Sequence, residues 1–204
     1  MWHICLSHRG ILTNADDIIT SILPEELLDD VPGAFAHAGH IGKLLPPYYS
    51  EQLLKLLTAQ VNLRDPYLPY KHIIGAVILD KNPSIRTVIN KADTLNSDNE
   101  FRVLDFEVIA GDHDFQVETK ESGVIFRFDY SKVFWNSRLS TEHARLIDMF
   151  QPGEMVCDVM AGVGPFAVPA GKKGVFVWAN DLNPDCHRYL EDAIKLNKVC
   201  ETHP

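Results

Sequence analysis

The spacing of apolar and polar residues divides the chain into a strand-rich first part and an α/β second part. Apolar runs bounded by turn residues predict strands over 73–79, 85–89, 103–109, 115–119 and 124–128. Leucines at helical spacing predict a helix over 49–60, and Pro24 to Leu28 predicts the start of a short one. The pattern indicates an α+β unit from about residue 20 to about residue 130.

From Ser140 onward, helical and extended patterns alternate. Apolar residues between Leu139 and Phe150 suit one face of a helix. Strand 155–159, helix 165–171, strand 175–180 and helix 184–197 are predicted to follow it, with Asn183 as N-cap. This alternation predicts the first half of a Rossmann-like α/β domain. Since two strands cannot complete a doubly wound sheet, we expect the remaining strands to come from sequence beyond Pro204.

The segment Asp158-Val-Met-Ala-Gly-Val-Gly-Pro165 joins the first strand of this α/β part to its helix. A glycine turn lets backbone N–H groups approach a ligand at the positive end of the next helix. The second strand ends in Asn180-Asp181, where a carboxylate is placed to accept hydrogen bonds from ribose hydroxyls. Together these features predict half of a nucleoside-cofactor site.

The glycine turn also bears on which cofactor is bound. The third glycine of a dinucleotide fingerprint is absent, because Pro165, Phe166 and Ala167 follow Gly164. A pyrophosphate needs that glycine-lined approach, whereas a cofactor carrying adenosine and an amino acid does not. S-adenosylmethionine is therefore the favoured cofactor, and a strand-to-helix turn without a ligand is the alternative interpretation.

Composition limits the classes of partner. The chain has 204 residues, 46% of them hydrophobic, and a formal net charge of −9. Net acidity argues against a sequence-blind polyanion binder but leaves room for one RNA bound by a local basic face. The pair His37 and His40 lacks nearby ligands, so no metal site is predicted. Without a long apolar run or a basic leader, we expect a cytoplasmic protein that does not bind membranes.

Several ordered motifs resemble one known family. They are Val133–His143, Asp158–Phe166 and Ala179–Pro184, preceded by Gly39–Ile41, Asn62–Asp65, Gly75–Asp80 and Phe101-Arg102. Over about residues 22–198, the chain resembles the eukaryotic and archaeal tRNA (guanine-37) N1-methyltransferases. The resemblance implies a class I methyltransferase that acts as a monomer on tRNA with S-adenosylmethionine. It also adds the mitochondrial matrix and the nucleus as locations.

The resemblance implies three domains. Residues 1–65 are expected to recognise the shape of the tRNA, 66–135 to form a small β-rich domain, and 136–204 to begin the methyltransferase domain. The family passes almost directly from Gly-His-Ile to Asn-Leu-Arg, so residues 42–60 are a candidate insertion. The Asn-Pro/Leu-Pro motif of the family is expected beyond residue 204, which would leave the active site incomplete in this chain.

The resemblance also assigns residues to roles. Guanine N1 is a poor nucleophile until its proton leaves, and Glu142 matches the carboxylate that would remove it. Arg102 matches an arginine that would donate a hydrogen bond to guanine O6. Arg138 is placed to hold the catalytic segment Val133–His143 or a phosphate. The expected substrate-binding residues are Phe134, where the family usually has tyrosine, Asn136 and His143. The expected cofactor-binding residues are Asp158, Ala161, Gly162, Gly164, Asp181, Leu182 and Asn183.

Three alternatives remain open at this point. The related transferase of wybutosine synthesis moves an aminocarboxypropyl group from the same cofactor, although the segment Asn136–Glu142 favours the methyltransferase. A fragment that binds tRNA without catalysis is the second. In the third, Val133–His143 is a linker that runs into a solvated helix, and Glu142 and Arg145 are ordinary first-turn charges.

Overall fold

The computed structural model describes residues 14–30, 57–61, 63–95 and 103–199, together with the short segments 6–7, 10–11, 36–38 and 100–101. Two two-residue strands, β1 (Leu6–Ser7) and β2 (Gly10–Ile11), pair antiparallel at the start of the chain. The helix α1 (Ala15–Ile22) follows, with Asn14 accepting a hydrogen bond from the backbone of Asp17 as its N-cap. Arg102 and the segment 39–56 lie outside the described residues.

A mixed four-stranded sheet forms the first part of the fold. Its strands are β3 (Ala36–Ala38), β4 (Leu57–Val61), β5 (Ile85–Leu95) and β6 (Leu104–Gly111), adjacent in that order. β4 and β5 run parallel, and the other neighbours are antiparallel. The helix α2 (Lys71–Lys81) packs on this sheet and contributes fully buried Ile74 and Ile78 to its core.

Two predictions in this part are wrong. Residues 73–79 lie in α2 rather than in a strand, because a continuous apolar run does not distinguish a buried strand from a buried helix. At Gly75, an added Cβ would lie only 3.0 Å from Ala110 Cβ, so the glycine lets this helix lie close to β6. Residues 57–60, expected at the end of a helix, belong to β4, where Ala59 is fully buried.

The second part contains a hairpin and an α/β unit. The hairpin pairs β7 (Gln116–Glu121) with β8 (Val124–Asp129). After it come α3 (Ser140–Met149), β9 (Met155–Asp158), α4 (Ala167–Lys172), β10 (Phe176–Ala179) and α5 (Pro184–Leu196), with β9 and β10 parallel. The predicted order of elements and the cap by Asn183 are confirmed. No helix in the described ranges has both the length and the apolar character to cross a membrane.

The hairpin and the α/β unit share one hydrophobic core. Phe126 and Phe128 of β8 pack with Trp135, whose ring centroid lies 5.4 Å and 5.2 Å from theirs. The same cluster continues to Val168 of α4 and Leu190 of α5. Trp135 therefore anchors the predicted catalytic segment 133–143 to the hydrophobic core. The domain limits at 65/66 and 135/136 stay predictions.

Asn197 joins the end of α5 to the hairpin and gives the first testable prediction. Its Oδ1 accepts from Ile125 N at 2.8 Å, and its Nδ2 donates to Ile125 O at 2.7 Å. Asn197→Ala should lower the free energy of unfolding by about 1–3 kcal/mol, because two backbone groups lose their partner. Urea denaturation measures this. Lys195→Ala, on the exposed side of α5, should change little, and equal stability of both variants would remove Asn197 from this role.

Candidate active site

The turns after β9 and β10 are tied together by backbone and side-chain hydrogen bonds. Ala161 N donates to Asn180 O at 2.8 Å. Asp181 accepts from Gly162 N at 2.7 Å through Oδ2 and from Asn183 N at 2.9 Å through Oδ1. The carboxylate predicted to contact a ribose is therefore anchored to the glycine turn. Each oxygen keeps lone pairs that can accept from a ligand.

The two glycines of the turn have different reasons to be glycine. Both adopt the left-handed region, with φ of +56° at Gly162 and +92° at Gly164. A Cβ on Gly162 would meet no atom within 4 Å, so a ligand can approach the backbone there. A Cβ on Gly164 would lie 2.4 Å from Leu190 Cδ1 and 2.7 Å from Val168 Cγ2. Gly164 is thus required for helix packing, whatever the turn binds.

The site is acidic. Asp158 Oδ2 is buried and has no hydrogen-bond partner in the described part of the chain. Burial raises the pKa of Asp158, and the negative charge of Asp181 raises it further, against a hydrogen bond from Met160 N–H. Burial, then the charge of Asp181, raises the pKa of the neighbouring Cys186 thiol to about 12. Such surroundings favour a ligand that carries positive charge over a pyrophosphate.

The remaining predicted cofactor residues have distinct environments. Ala161 lies in the turn itself and is buried in the hydrophobic core. Leu182 is 71% exposed and presents an apolar surface beside Asp181. Asn183 is buried, where Oδ1 caps α5 at Asp185 N (2.9 Å) and Nδ2 donates to Lys132 O (2.8 Å). Asn183 thus connects α5 to the predicted catalytic segment, a structural role that the sequence pattern indicated only as a cap.

The segment 133–143 leads from the hairpin into α3. Phe134 is half-buried between the buried residues Val133 and Trp135. Asn136 Oδ1 accepts from Arg138 N at 3.1 Å and begins a single 3₁₀ turn, Ser137–Leu139, before the helix. Arg138 is exposed on that turn. The roles of these residues toward a substrate stay predictions.

Glu142 is held by an arginine one helical turn away. Arg145 Nε donates to Oε2 at 2.7 Å and Nη2 donates to Oε1 at 2.6 Å, in an exposed pair. The hydrogen bond from Arg145 holds the pKa of Glu142 below its usual range. The carboxylate is therefore ionised at neutral pH, as a base must be. The same pair also fits an ordinary helix-surface ion pair.

Removing Arg145 tests how strongly it controls this carboxylate. In Arg145→Gln the pKa of Glu142 should rise toward the ordinary carboxyl range, because the charge-assisted hydrogen bonds favour the ionised form. Glu142 would then take up its proton at higher pH than in the unsubstituted chain. NMR titration of the side-chain carboxyl measures this. Arg188→Gln, which removes the exposed partner of Asp185 on α5, is the control. An unchanged Glu142 titration would show that Arg145 does not hold it.

His143 and Arg102 complete the predicted set. His143 is buried and hydrogen-bonded to Glu121, and its role toward a substrate stays a prediction. Arg102 lies outside the described residues. The structure therefore brings the cofactor residues together around Asp181 and places Glu142 on the adjacent α3. Sequence reasoning missed Glu121 and Cys186, which carry no motif signal.

Two family models and several known proteins are similar to this chain. Residues 117–203 match the TRM5/TYW2 methyltransferase domain, and residues 58–114 match the TYW2 N-terminal domain. The tRNA (guanine(37)-N(1))-methyltransferase of Fusarium vanettenii is 57% identical over 188 residues, which are 92% of this chain and 37% of that protein. The Schizosaccharomyces pombe protein of the same name is 57% identical over 91% of this chain and 38% of its own length.

Solved structures share the fold. Trm5b from Pyrococcus abyssi is 29% identical with a TM-score of 0.71, covering 100% of this chain and 53% of that one. TYW2 from P. horikoshii, in a complex with MeSAdo, is 26% identical with a TM-score of 0.63, over 91% and 59% of the two chains. The protein in the complex of aTrm5 with tRNALeu is 24% identical, with a TM-score of 0.73. The match covers 93% of this chain and 52% of that one, and it shows a similar fold. The chain thus spans little more than a third of the curated relatives it matches.

Proposed function

We propose a function from the premise that the chain belongs to the TRM5/TYW2 methyltransferase family. It forms part of an enzyme that transfers a methyl group from S-adenosylmethionine to N1 of guanine 37 in tRNA. The observation that carries the proposal is the 57% identity to two fungal tRNA (guanine(37)-N(1))-methyltransferases over nearly the whole chain. The acidic turn anchored by Asp181 supports it independently, since it suits a cationic nucleoside ligand.

The residues of the turn fit this cofactor. Asp181 would accept hydrogen bonds from the ribose hydroxyls, as its remaining lone pairs allow. The buried, unpartnered Oδ2 of Asp158 would accept from the ammonium of the methionine part. The open space above Gly162 leaves room for close approach to the backbone. When bound, S-adenosylmethionine supplies an electrophilic methyl group on a positively charged sulfur.

The protein must also prepare guanine N1 as a nucleophile. In the proposed mechanism Glu142 removes the N1 proton, and Arg102 donates to O6 as negative charge develops there. Phe134 stacks on the base, and Arg138 holds the segment or a phosphate. Each oxygen of Glu142 accepts one hydrogen bond from Arg145 and keeps a lone pair that can take the proton. The role of Arg102 rests on the family motif alone.

A second candidate function is aminocarboxypropyl transfer from the same cofactor. The observation that favours it is the match of residues 58–114 to the TYW2 N-terminal domain. The two reactions differ in which bond to the sulfonium sulfur breaks, so their products differ in mass. The fungal relatives, matched over both segments and named for the methyl transfer, favour the first candidate.

The experiment that tests the proposal is a product assay. The full-length protein is incubated with S-adenosylmethionine and a tRNA carrying guanine at position 37, with an adenine-37 tRNA as control. Mass spectrometry of the nucleosides should show 1-methylguanosine only with the first tRNA. An aminocarboxypropyl product would establish the second candidate, and tRNA binding without product would identify a non-catalytic protein. Monomeric state and a cytoplasmic, mitochondrial or nuclear location stay predictions.

A further inference from the structure

Two buried ionisable side chains meet next to the predicted base. Glu121 is the last residue of β7, and His143 lies in the first turn of α3. Their side chains are 8% and 9% exposed, and His143 Nδ1 is hydrogen-bonded to Glu121 Oε1. A buried polar group of this kind is costly to leave unpaired, so the pair holds the hairpin and the helix in one relative position.

The same histidine also contacts the cofactor turn. The ring of His143 meets the ring of Phe166 edge to face, with centroids 4.7 Å apart and planes at 74°. Phe166 is the residue immediately before α4 and closes the glycine turn that begins at Asp158. Its carbonyl accepts from Ala170 N at 3.0 Å, which fixes it to the helix. His143 therefore joins three elements: the hairpin, α3 and the turn.

We propose that Glu121 and His143 are positioning residues that hold the helix bearing Glu142 in place relative to the glycine turn. Glu121 orients the imidazole by accepting its Nδ1 proton, and the oriented ring sets the contact with Phe166. Glu142 is the neighbour of His143 along the helix, so a shift of this ring moves the predicted base relative to the methyl donor. The catalytic consequence rests on the proposed function, whereas the coupling of the three elements does not.

The coupling is tested first in the 204-residue chain itself. With ¹⁵N-labelled histidine, NMR should show a slowly exchanging Nδ1 proton on His143 at low field, and Glu121→Gln should move it to higher field and speed its exchange, because a neutral carbonyl is a weaker acceptor than a carboxylate. Phe166→Leu should shift the ring signals of His143, because the aromatic edge is lost, and should leave those of exposed His187 unchanged. A His143 ring that exchanges like His187, or that ignores both substitutions, would overturn the inference. This outcome does not depend on any enzymatic activity.

The catalytic consequence is tested in the full-length protein. At saturating tRNA and cofactor, Glu121→Gln should slow single-turnover transfer by about 10- to 100-fold with unchanged affinities, since a small misplacement reduces only the reacting geometry. Phe166→Leu, which leaves the Glu121–His143 hydrogen bond intact, should also slow the transfer. Glu118→Gln, on the same strand and paired with Arg127, is the matched control.

The outcomes separate the two proposals. Rates equal to the Glu118→Gln control, with the His143 signals behaving as expected, would show that the pair is structural and overturn the positioning role. A weakened affinity for tRNA or cofactor with an unchanged rate at saturation would do the same. If the unsubstituted protein transfers nothing to tRNA, the proposed function fails, and the NMR result in the chain still decides the coupling.

Discussion

Replacing Glu142 with glutamine is expected to slow single-turnover methyl transfer by roughly 10²–10⁴-fold in the full-length enzyme, the usual contribution of a positioned proton acceptor. Glutamine keeps the size and the hydrogen-bonding carbonyl but cannot take the N1 proton. Affinities for tRNA and cofactor should be unchanged. Rapid-quench assays with both partners saturating measure the rate, and equilibrium binding measures the affinities.

Two controls separate the base from the ion pair. Arg145→Gln removes the same pair while leaving the carboxylate, so it should retain most of the rate. Glu191→Gln changes an exposed carboxylate on α5 and should be neutral. The limb of the pH profile that rises as Glu142 ionises should vanish in Glu142→Gln. If the Glu142→Gln enzyme transfers methyl groups at the normal rate, Glu142 is not the base and is an ordinary charge on the helix surface.

Replacing Asp181 with alanine is expected to weaken S-adenosylmethionine binding by about 1.5–3 kcal/mol, or roughly 10- to 150-fold. Two effects contribute. The ribose hydroxyls lose a charged acceptor, and the N–H groups of Gly162 and Asn183 lose the carboxylate that holds the turn. Isothermal titration calorimetry on the full-length protein measures the affinity, and thermal melting without ligand measures the effect on the turn.

Graded substitutions make the origin of this effect visible. Asp181→Asn keeps one oxygen acceptor and should fall between the alanine variant and the original chain. Asp192→Ala removes an exposed carboxylate of α5 and should bind as the original chain does. Unchanged affinity in Asp181→Ala would remove Asp181 from the site. Loss of melting temperature without loss of affinity would limit it to holding the turn.

The candidate site could be predicted from the sequence as far as it consists of local motifs. A strand, a glycine turn and an acidic residue at the end of the next strand are close in sequence, so Asp158, Gly162 and Asp181 were found together. Partners from distant elements were not found. Glu121 and His143 are 22 residues apart, and nothing in the local pattern of either one indicates a buried pair. The distinct reason for Gly164 appears only when Leu190 of α5 is packed against it.

The fold divides in the same way. Apolar runs bounded by turn residues and apolar residues at helical spacing by themselves determined the positions of strands β5 to β10 and helices α3 to α5. The run 73–79 is apolar at every position, exposed Ile73 included, so its sequence shows no helical contrast, and residues 57–60 are too few to show a pattern. Only the tertiary structure decided that the first is a helix on the sheet and the second a strand within it. There, packing against β6 at Gly75 and pairing with β5 outweigh the weak local preference.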